Sequence, residues 1–275
     1  MKKTIILFGI LLLISAISFA QEDSIKKTNY EFRKISQNSF GTGEKLNFTI
    51  NYMGVKAGDA TMEVAPDLIK VNGRDCYKIT VNVRTSSSFE WVYKLFEKYE
   101  CNLDAQGFFP WRYDHDKTQG KYKEQFEAIF DQENHKVKTF EGYSKTFKRE
   151  VTIPEYTQDQ VSAFYYARSF DIPNLNEWDL ISTFQVFDKE QAKPLEVKYL
   201  GREEVSVKAG KFRCIKVKPM GMAGGLFGAS DDLIIYLSDD NVKMPVKIEI
   251  KIKVGSFNVE LDSYQNVKPL NAKLD

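Results

Sequence analysis

Asp114, His115 and Asp116 are adjacent in this chain and have clear potential for acid–base chemistry. An imidazole beside two carboxylates could act as a tuned general base. The surrounding residues predict a β-strand, however, and side chains on a strand alternate between its two faces. His115 therefore points away from both neighbouring carboxylates, and we interpret it as an exposed, solvated histidine.

The other imidazole and the paired acids fit turns better than catalytic sites. His135 lies in a polar stretch, and Glu203-Glu204 and Asp239-Asp240 are adjacent pairs. The two carboxylates of a glycoside hydrolase must face each other across roughly 5 to 10 Å, and adjacency in a turn does not establish that arrangement. We interpret Asp239-Asp240-Asn241 as a hairpin turn.

Familiar enzyme signatures are absent from the sequence. It contains no G-x-S-x-G elbow, Walker loop, dinucleotide-binding glycine pattern or H-E-x-x-H helix. We therefore expect a protein that is not an enzyme and uses no cofactor. A carboxylate-dependent hydrolase of glycans or peptides that uses His115 is the alternative with the least support.

The three cysteines, Cys76, Cys101 and Cys214, match neither a C-x-x-C redox motif nor the spacing of a zinc site. The two histidines of the chain offer little imidazole for a metal centre, so we expect no metal. An oxidising compartment would permit one disulfide and leave one thiol over, and the sequence leaves the pairing open. We interpret all three cysteines as structural.

Two apolar features favour ligand binding over catalysis. Met220–Gly228 is uncharged and rich in glycine, methionine and other apolar residues, which suits an adaptable lid, with ordinary packing of a long loop as the alternative. The chain also has 20 Phe, 14 Tyr and 3 Trp, more than a minimal core requires, although most aromatic residues of a large β-protein belong to the core. As ligand-binding residues we predict Trp91, Tyr93, Tyr122, Phe126, Trp178, Met220, Met222 and Phe227.

Alternation of apolar and polar residues dominates the chain after Phe40 and predicts β-strands, of which Leu46–Tyr52 is a clear example. Apolar residues at helical spacing predict a short helical turn over Phe89–Phe96 and a helix over Gln158–Phe170, with Thr157 as its cap. The short, regular spacing of the strands predicts a mainly β fold. We expect a large antiparallel β-barrel or open β-sandwich with one short packed helix.

The N-terminus has the pattern of a cleaved secretory signal. Lys2 and Lys3 precede the apolar run Ile5–Ile14, and small residues lead to a cleavage position after Ala20. The apolar run is shorter than the ~20 residues that cross a bilayer. We therefore predict an exported protein without a transmembrane anchor after cleavage, located in the periplasm or outside the cell.

The sequence predicts three parts: a signal peptide over 1–20, a flexible segment over 21–39, and a single β-rich domain of two halves over 40–275. Without Lys2 and Lys3, 37 basic and 38 acidic residues remain, so the mature chain is nearly neutral. Proteins that bind nucleic acid usually carry a concentrated basic surface. We therefore expect no nucleic-acid partner.

Several short motifs follow one another in a set order: Phe40–Leu46, Tyr52–Gly58, Tyr77–Thr85, Gln158–Arg168, Val207–Phe212, Ser238–Val246 and Val254–Ser256. In this order they resemble the bacterial domain-of-unknown-function family 3108 over nearly the whole mature chain. The resemblance implies an exported β-rich fold in the cell envelope, and it brings no catalytic residues with it.

Together these patterns favour a non-enzymatic periplasmic protein that binds an apolar or amphipathic envelope component, such as a lipid or the acyl chain of a lipoprotein. The ligand would lie between the concave face of the sheet and the helix, with Met220–Phe227 as a cover. The alternative is an envelope interaction or scaffold protein that contacts a membrane-protein complex through its sheet edges or this loop.

Overall fold

Antiparallel strands make up most of the protein, as the alternation predicts. The structure is a computed structural model and describes residues 30–91, 93–221 and 232–274. Over these residues sixteen strands belong to one sheet, and one helix of eight residues packs against it. The elements are β1 (Lys45–Tyr52), β2 (Val55–Val64), β3 (Ile69–Val71), β4 (Arg74–Thr85), β5 (Leu95–Asp104), β6 (Pro110–Gln119), β7 (Tyr122–Asp131), β8 (Lys136–Glu141), β9 (Thr146–Thr152), α1 (Gln160–Ala167), β10 (Leu180–Phe187), β11 (Ala192–Val207), β12 (Gly210–Met220), β13 (Leu233–Ser238), β14 (Pro245–Lys251), β15 (Ser256–Gln265) and β16 (Lys273–Leu274).

The sheet consists of two blocks that each follow chain order. Strands β10 to β15 form one block, β1 to β9 form the other, and the blocks join where β1 pairs with β15. The short strands β3 and β16 pair to the side, with β4 and β12. The sheet is not closed, and β9 and β10 are its edges. The predicted mainly antiparallel fold with one packed helix is confirmed in this open, barrel-like form.

The segment between the two edges runs through α1 and ties them together. Gln158 forms an isolated bridge with β10, since its N–H donates to the Gln185 carbonyl and its own carbonyl accepts from Phe187 N–H, both at 2.8 Å. The buried Gln132 side chain donates to the carbonyls of Thr157, at 3.3 Å, and Pro110, at 3.0 Å. The helix therefore begins at a point held by both blocks.

The main apolar cluster of the core extends through both blocks, and two smaller clusters are separate from it. Because side chains alternate along each strand, every second residue points to the concave face and is buried there. The helix adds Val161, Phe164 and Tyr165 to this cluster. Among its most deeply buried members are Phe40, Leu46, Ile79, Tyr99, Leu103, Phe130, Phe212 and Ile215.

Neighbouring strands are antiparallel, so every second turn falls at the same end of the sheet. We call this end the rim; it holds the turns β1–β2, β4–β5, β6–β7, β8–β9, β10–β11, β12–β13 and β14–β15. In the β4–β5 connection the prediction of a helical turn over Phe89–Phe96 is wrong at its end, because Leu95 and Phe96 already belong to β5. Pairing of Phe96 with Arg84 of β4 overrides the local helical spacing.

From Phe32 onward the described residues belong to one compact unit. Arg33 lies between the Tyr156 and Tyr166 rings, 4.3 and 4.6 Å from their centroids, and donates to the carbonyls of Gly107 and Phe108. The predicted signal peptide, 1–20, lies outside the described residues. The division into three parts stays a prediction.

Candidate functional site

Helix α1 begins at Gln160, and its N-cap is Asp159, two residues after the cap that the sequence predicts at Thr157. The Asp159 carboxylate accepts from the N–H groups of Val161 and Ser162, and the Ser162 hydroxyl accepts from Asp159 N–H, which together form a capping box. Cys101 of β5 donates to the second carboxylate oxygen at 3.0 Å. Burial raises the pKa of Asp159 to about 6, against the lowering effect of these hydrogen bonds.

The other end of α1 is fixed by a buried ion pair. Arg168, the C-cap residue, donates two hydrogen bonds to the Glu44 carboxylate, at 2.6 and 2.9 Å, and both side chains are 0 % exposed. The guanidinium also donates to the carbonyls of Ser39 and Val242. This explains in structural terms why Glu44 and Arg168 both occur in the motifs noted in the sequence: they join α1, the start of β1 and the β13–β14 turn.

An apolar groove runs between α1 and the concave face of β10 to β13. The cavity has a volume of about 50 Å³, or about 520 Å³ when adjoining open solvent is counted. Among the described residues that line it, Gln160 alone is polar. The lining consists of Gln160, Ala163, Phe164, Ala167, Phe184, Leu195, Val197, Val217, Pro219, Leu233, Ile235 and Leu237.

The groove follows from the periodicity of the elements on its two sides. On α1 the lining residues are spaced i, i+3, i+4 and i+7, which places them on one helix face. On the strands they are two apart, as in Leu195 and Val197 of β11, so they share the concave face. Two of the four helix positions are alanines, Ala163 and Ala167, and their small side chains leave the space unfilled.

One end of the groove lies where β12 ends and β13 begins. Pro219 is next to the last residue of β12, and Leu233 is the first residue of β13. The chain between these strands includes residues 222–231, which lie outside the described part. The groove thus reaches the rim end of β12 and β13.

A polar cluster occupies the concave face of β5, β6 and β7, next to the helix start. Glu97 accepts from the Tyr99 hydroxyl at 2.7 Å and pairs with Lys117 at 3.2 Å. From the β10–β11 turn, Lys189 pairs with Glu124 of β7. The carboxylates and ammonium groups of this cluster therefore neutralise one another in pairs.

His115 belongs to this cluster, and the prediction that it is exposed is wrong. The residue is 5 % exposed, and its ring stacks on Tyr99 with 4.3 Å between the centroids and 4° between the planes. Burial lowers the pKa of His115 to about 4, and the charge of Lys189 adds to this effect, so the imidazole is neutral at pH 7. The prediction that its neighbours face the other way holds, since Asp114 pairs with Arg112 and Asp116 accepts from Tyr143 on the convex face.

The cluster does not have the geometry of a catalytic acid–base pair. The His115 Nε2 atom is 3.9 Å from Glu97 Oε1, beyond hydrogen-bonding distance, and both ring nitrogens are buried without a partner. Glu97 is already occupied by Tyr99 and Lys117. Through Tyr113, which lies 6.4 Å from the Tyr99 ring and donates to Gln160, the cluster contacts the groove.

Four of the residues predicted to bind a ligand lie at the rim rather than in the groove. Trp91, in the β4–β5 turn, is 86 % exposed, and Tyr93, in the same connection, and Tyr122, the first residue of β7, are also exposed. Met220 is the last residue of β12 and follows Pro219, which lines the groove. Their assignment as ligand-binding residues stays a prediction.

The other four predicted residues are separated from this group. Phe126 is buried on β7, with the Lys189 ammonium 5.4 Å from its ring centroid. Trp178 precedes β10, where its backbone N–H donates to the Tyr199 carbonyl and its ring lies 5.8 Å from the Lys218 ammonium. Met222 and Phe227 lie outside the described residues.

Sequence reasoning missed the residues that line the groove. Their strands were predicted, but the face that each side chain occupies was not assigned. The signal present in the sequence is the helical spacing of Gln160, Ala163, Phe164 and Ala167, whose two alanines leave room on one face. It becomes informative only when the strands packed against that face are known.

The described part of the chain holds no group of three or more histidine, cysteine, aspartate or glutamate side chains placed to bind a metal ion. Across residues 30–91, 93–221 and 232–274, no helix combines the length and the apolar character required to span a membrane. Cys76, Cys101 and Cys214 are buried free thiols. Burial raises the pKa of each, to about 12 for Cys76 and Cys214.

Comparison with known proteins places the chain beside proteins of undefined activity. The profile of a family described as protein of unknown function (DUF3108) matches residues 47–262, which confirms the resemblance seen in the motif order. No curated protein matches the chain.

Among solved structures, a β-barrel-like protein of domain of unknown function DUF1849 from Brucella abortus has a TM-score of 0.52 at 8 % identity, covering 84 % of this chain and all of that one. A candidate exported protein with a YmcC-like fold from Bacteroides fragilis has a TM-score of 0.32 at 11 % identity, over 86 % of this chain and all of its own. A candidate lipoprotein from Parabacteroides distasonis has a TM-score of 0.30 at 13 % identity, with the same coverage. At these identities the first likeness concerns the fold alone.

Proposed function

This chain belongs to the DUF3108 family, and we propose that it is a non-enzymatic binding protein for an apolar or amphipathic component of the cell envelope, held in the groove between α1 and β10 to β13. The observation that carries this proposal is the lining of the groove, in which eleven of twelve residues are apolar. Water finds few hydrogen-bond partners in such a space, whereas each buried methylene of a ligand contributes about 0.8 kcal/mol to the binding free energy. A lipid or the acyl chain of a lipoprotein has the matching chemistry.

The size of the groove limits what it holds without rearrangement. Sites for small molecules usually measure about 300 to 1,000 Å³, and the groove measures about 50 Å³. This volume is too small for a whole acyl chain, so binding of one requires the walls of the groove to move apart. The cover predicted from the sequence, Met220–Phe227, is rich in glycine and methionine, which adapt to varied shapes.

The polar cluster gives the apolar groove one polar end. Gln160 lines the groove and also accepts from Tyr113, which connects it to the charged and imidazole groups of the cluster. An amphipathic ligand would place its polar group toward Gln160 and its chain along the strands. The predicted signal over 1–20 supports an exported location, where lipids and lipoproteins of the envelope are accessible.

A filled groove tests the proposal. Val197→Trp places a large side chain in the groove, while Glu196→Trp, on the adjacent residue of β11 and the opposite face, is the matched control. With a fluorescent long-chain fatty acid as the probe, we expect Val197→Trp to weaken binding at least tenfold and Glu196→Trp to leave it unchanged. Val197→Ala enlarges the groove and should retain binding of the fatty acid. It provides a second groove variant if the larger side chain of Val197→Trp unfolds the protein.

Native mass spectrometry of protein purified from its own envelope provides an independent test. Co-purified lipid or acyl chain is expected with the wild type and is expected to be lost with Val197→Trp. If the wild type carries no adduct and binds no fatty acid, the proposal is wrong.

The alternative of an interaction protein that adds strands at its sheet edges has less support. The edge strand β9 carries Lys148, Arg149 and Glu150, and charged side chains on an edge oppose strand addition. Cross-linking followed by affinity capture would favour this alternative if one partner is recovered in stoichiometric amount with the groove variants as well as the wild type.

A further inference from the structure

The exposed apolar side chains of the protein are concentrated at the rim. Of fifteen large apolar residues that are exposed in the described part of the chain, eleven lie in rim turns or within two residues of them. Met53, Trp91, Tyr122, Tyr143 and Val254 represent five different rim turns. Single exposed apolar residues are ordinary on a soluble protein, but a contiguous group at one end indicates an interaction surface.

Hydrogen bonds show that these turns are contiguous. The Tyr52 hydroxyl donates to the Val254 carbonyl at 3.0 Å, which joins the β1–β2 and β14–β15 turns. Ser86 N–H donates to the Ala57 carbonyl at 2.9 Å, and Gly120 N–H donates to the Lys94 carbonyl at 2.9 Å. The β4–β5 connection, which carries Trp91, thus contacts the turns on either side of it.

Two rim turns alternate exposed lysines with exposed apolar residues. One is Lys121-Tyr122-Lys123, and the other is Lys251-Ile252-Lys253-Val254. Neither stretch contains an acidic residue. Among the described residues, Lys121, Lys123 and Lys253 form no ion pair with a carboxylate, unlike the lysines of the polar cluster and of the strands.

Exposed aromatic residues next to lysines suit the surface of a lipid bilayer. Tyrosine and tryptophan favour the headgroup level of a bilayer, where the ring contacts apolar chains and the polar atom stays hydrated. Lysines near an anionic lipid surface add favourable electrostatic energy that falls off within a Debye length. A protein partner would not require both features to recur in separate turns.

We propose that the rim docks the protein on an anionic lipid bilayer, with Trp91, Tyr122 and Val254 at the headgroup level and Lys121 and Lys253 against anionic headgroups. This inference goes beyond the proposed function, because docking does not require an occupied groove. The two are related in space, since Pro219 and Leu233, which line the groove, lie at the rim end of β12 and β13. A docked protein holds this end of the groove toward the membrane.

Vesicle co-sedimentation tests the docking. Vesicles of phosphatidylcholine with phosphatidylglycerol should bind the wild type, vesicles of phosphatidylcholine alone should bind it at least tenfold more weakly, and added salt should release it. Lys121→Glu combined with Lys253→Glu should weaken binding at least tenfold, because each lysine near an anionic surface contributes roughly fivefold in affinity. Lys208→Glu is the charge control, since Lys208 is exposed at the opposite end.

Exposed apolar side chains at the two ends provide a second matched pair. Trp91→Ser removes the exposed ring at the rim, and Leu68→Ser removes an exposed side chain between β2 and β3, at the opposite end. We expect vesicle binding to fall at least fivefold for Trp91→Ser and to be unchanged for Leu68→Ser, with a blue shift of tryptophan emission on vesicle binding that Trp91→Ser abolishes.

Equal binding by the rim variants and their controls, or no binding of the wild type to anionic vesicles, overturns the docking proposal. A protein that binds the fatty acid probe but no vesicle refutes docking and leaves the groove proposal standing. A protein that binds vesicles through the rim but no fatty acid has the reverse consequence.

Discussion

Replacing Arg168 with leucine should strongly destabilise the protein, because its guanidinium donates two hydrogen bonds to the buried carboxylate of Glu44 and neutralises its charge. Both side chains are fully buried, and Arg168 also donates to the carbonyls of Ser39 and Val242. Removing one partner of such a pair leaves an uncompensated charge and typically costs about 3 to 5 kcal/mol. For a domain of this size, that loss lowers the melting temperature by roughly 6 to 20 °C.

The assay is urea unfolding followed by tryptophan fluorescence, with the dependence on urea expected to stay unchanged. Replacing both Arg168 and Glu44 with leucine should recover most of the loss, because no buried charge then remains. Arg202→Leu is the control: this arginine pairs with Asp239 at 3.0 Å, but both side chains are partly exposed, and we expect a loss below about 1 kcal/mol. The reasoning is refuted if Arg168→Leu unfolds within about 1 kcal/mol of the wild type, or if the double variant is no more stable than the single one.

Three further predictions concern buried titratable groups. The pKa of His115, about 4 in the folded protein, lies below the ordinary 6.5, so the unfolded chain takes up the proton first and stability should fall by up to about 3 kcal/mol as the pH drops from 6.5 to 4. His115→Phe should remove that part of the loss in urea unfolding at stepped pH, and an NMR titration of His115 with a midpoint near 6.5 would contradict it. The pKa of Asp159, about 6, lies above the ordinary 3.8, so its contribution to stability is fully present below pH 3.8 and is lost, by up to about 3 kcal/mol, as the pH rises to 6. Asp159→Asn keeps the cap and should show no such loss relative to the wild type over that range, whereas a parallel pH profile for the two proteins would show that the carboxyl does not titrate there. Cys76, Cys101 and Cys214 should be inert to a thiol reagent in the native protein and react as three thiols after denaturation, and labelling of the native protein or recovery of one thiol instead of three would contradict the buried free state.

Alternation along the chain predicted the strands well, because a strand that buries one face alternates apolar and polar residues within its own sequence. The same alternation also contained the position of His115, which shares a face with Tyr113, a residue buried on β6. The acidic neighbours Asp114 and Asp116 suggested an exposed strand, but they face the other way, and the expectation that His115 is exposed was wrong. The alternation showed that His115 and its neighbours lie on opposite faces of β6. Which face is buried follows from the apolar residues that share the face of His115.

The helix was predicted over Gln158–Phe170 and is shorter, Gln160–Ala167. Its start is set by Asp159, whose side chain caps the first turn, while Gln158 pairs with β10 as an extended residue. Local propensity does not reveal such a competition, because the strand that captures Gln158 lies later in the chain.

The groove could not be predicted from local pattern, since its walls come from α1 and from β11 to β13, which meet only in the folded sheet. The aromatic residues selected from the sequence were conspicuous by type, and the structure places Trp91, Tyr93 and Tyr122 on turns instead. The residue type and its local spacing in the sequence did not distinguish an aromatic side chain in the core from one that projects from a turn. The order of the strands in the sheet made that distinction.

The junction between β1 and β15 has a consequence for how the chain reaches its native state. Lys45 pairs with Gln265 and Tyr52 with Phe257, so the first long strand obtains its second neighbour only when nearly the last residues are available. Contacts between such distant parts of a sequence incur a large loop-closure entropy and slow folding. During synthesis, β1 therefore remains an open edge until β15 arrives, and loss of the C-terminal residues from β15 onward would leave the two blocks of the sheet without their shared seam.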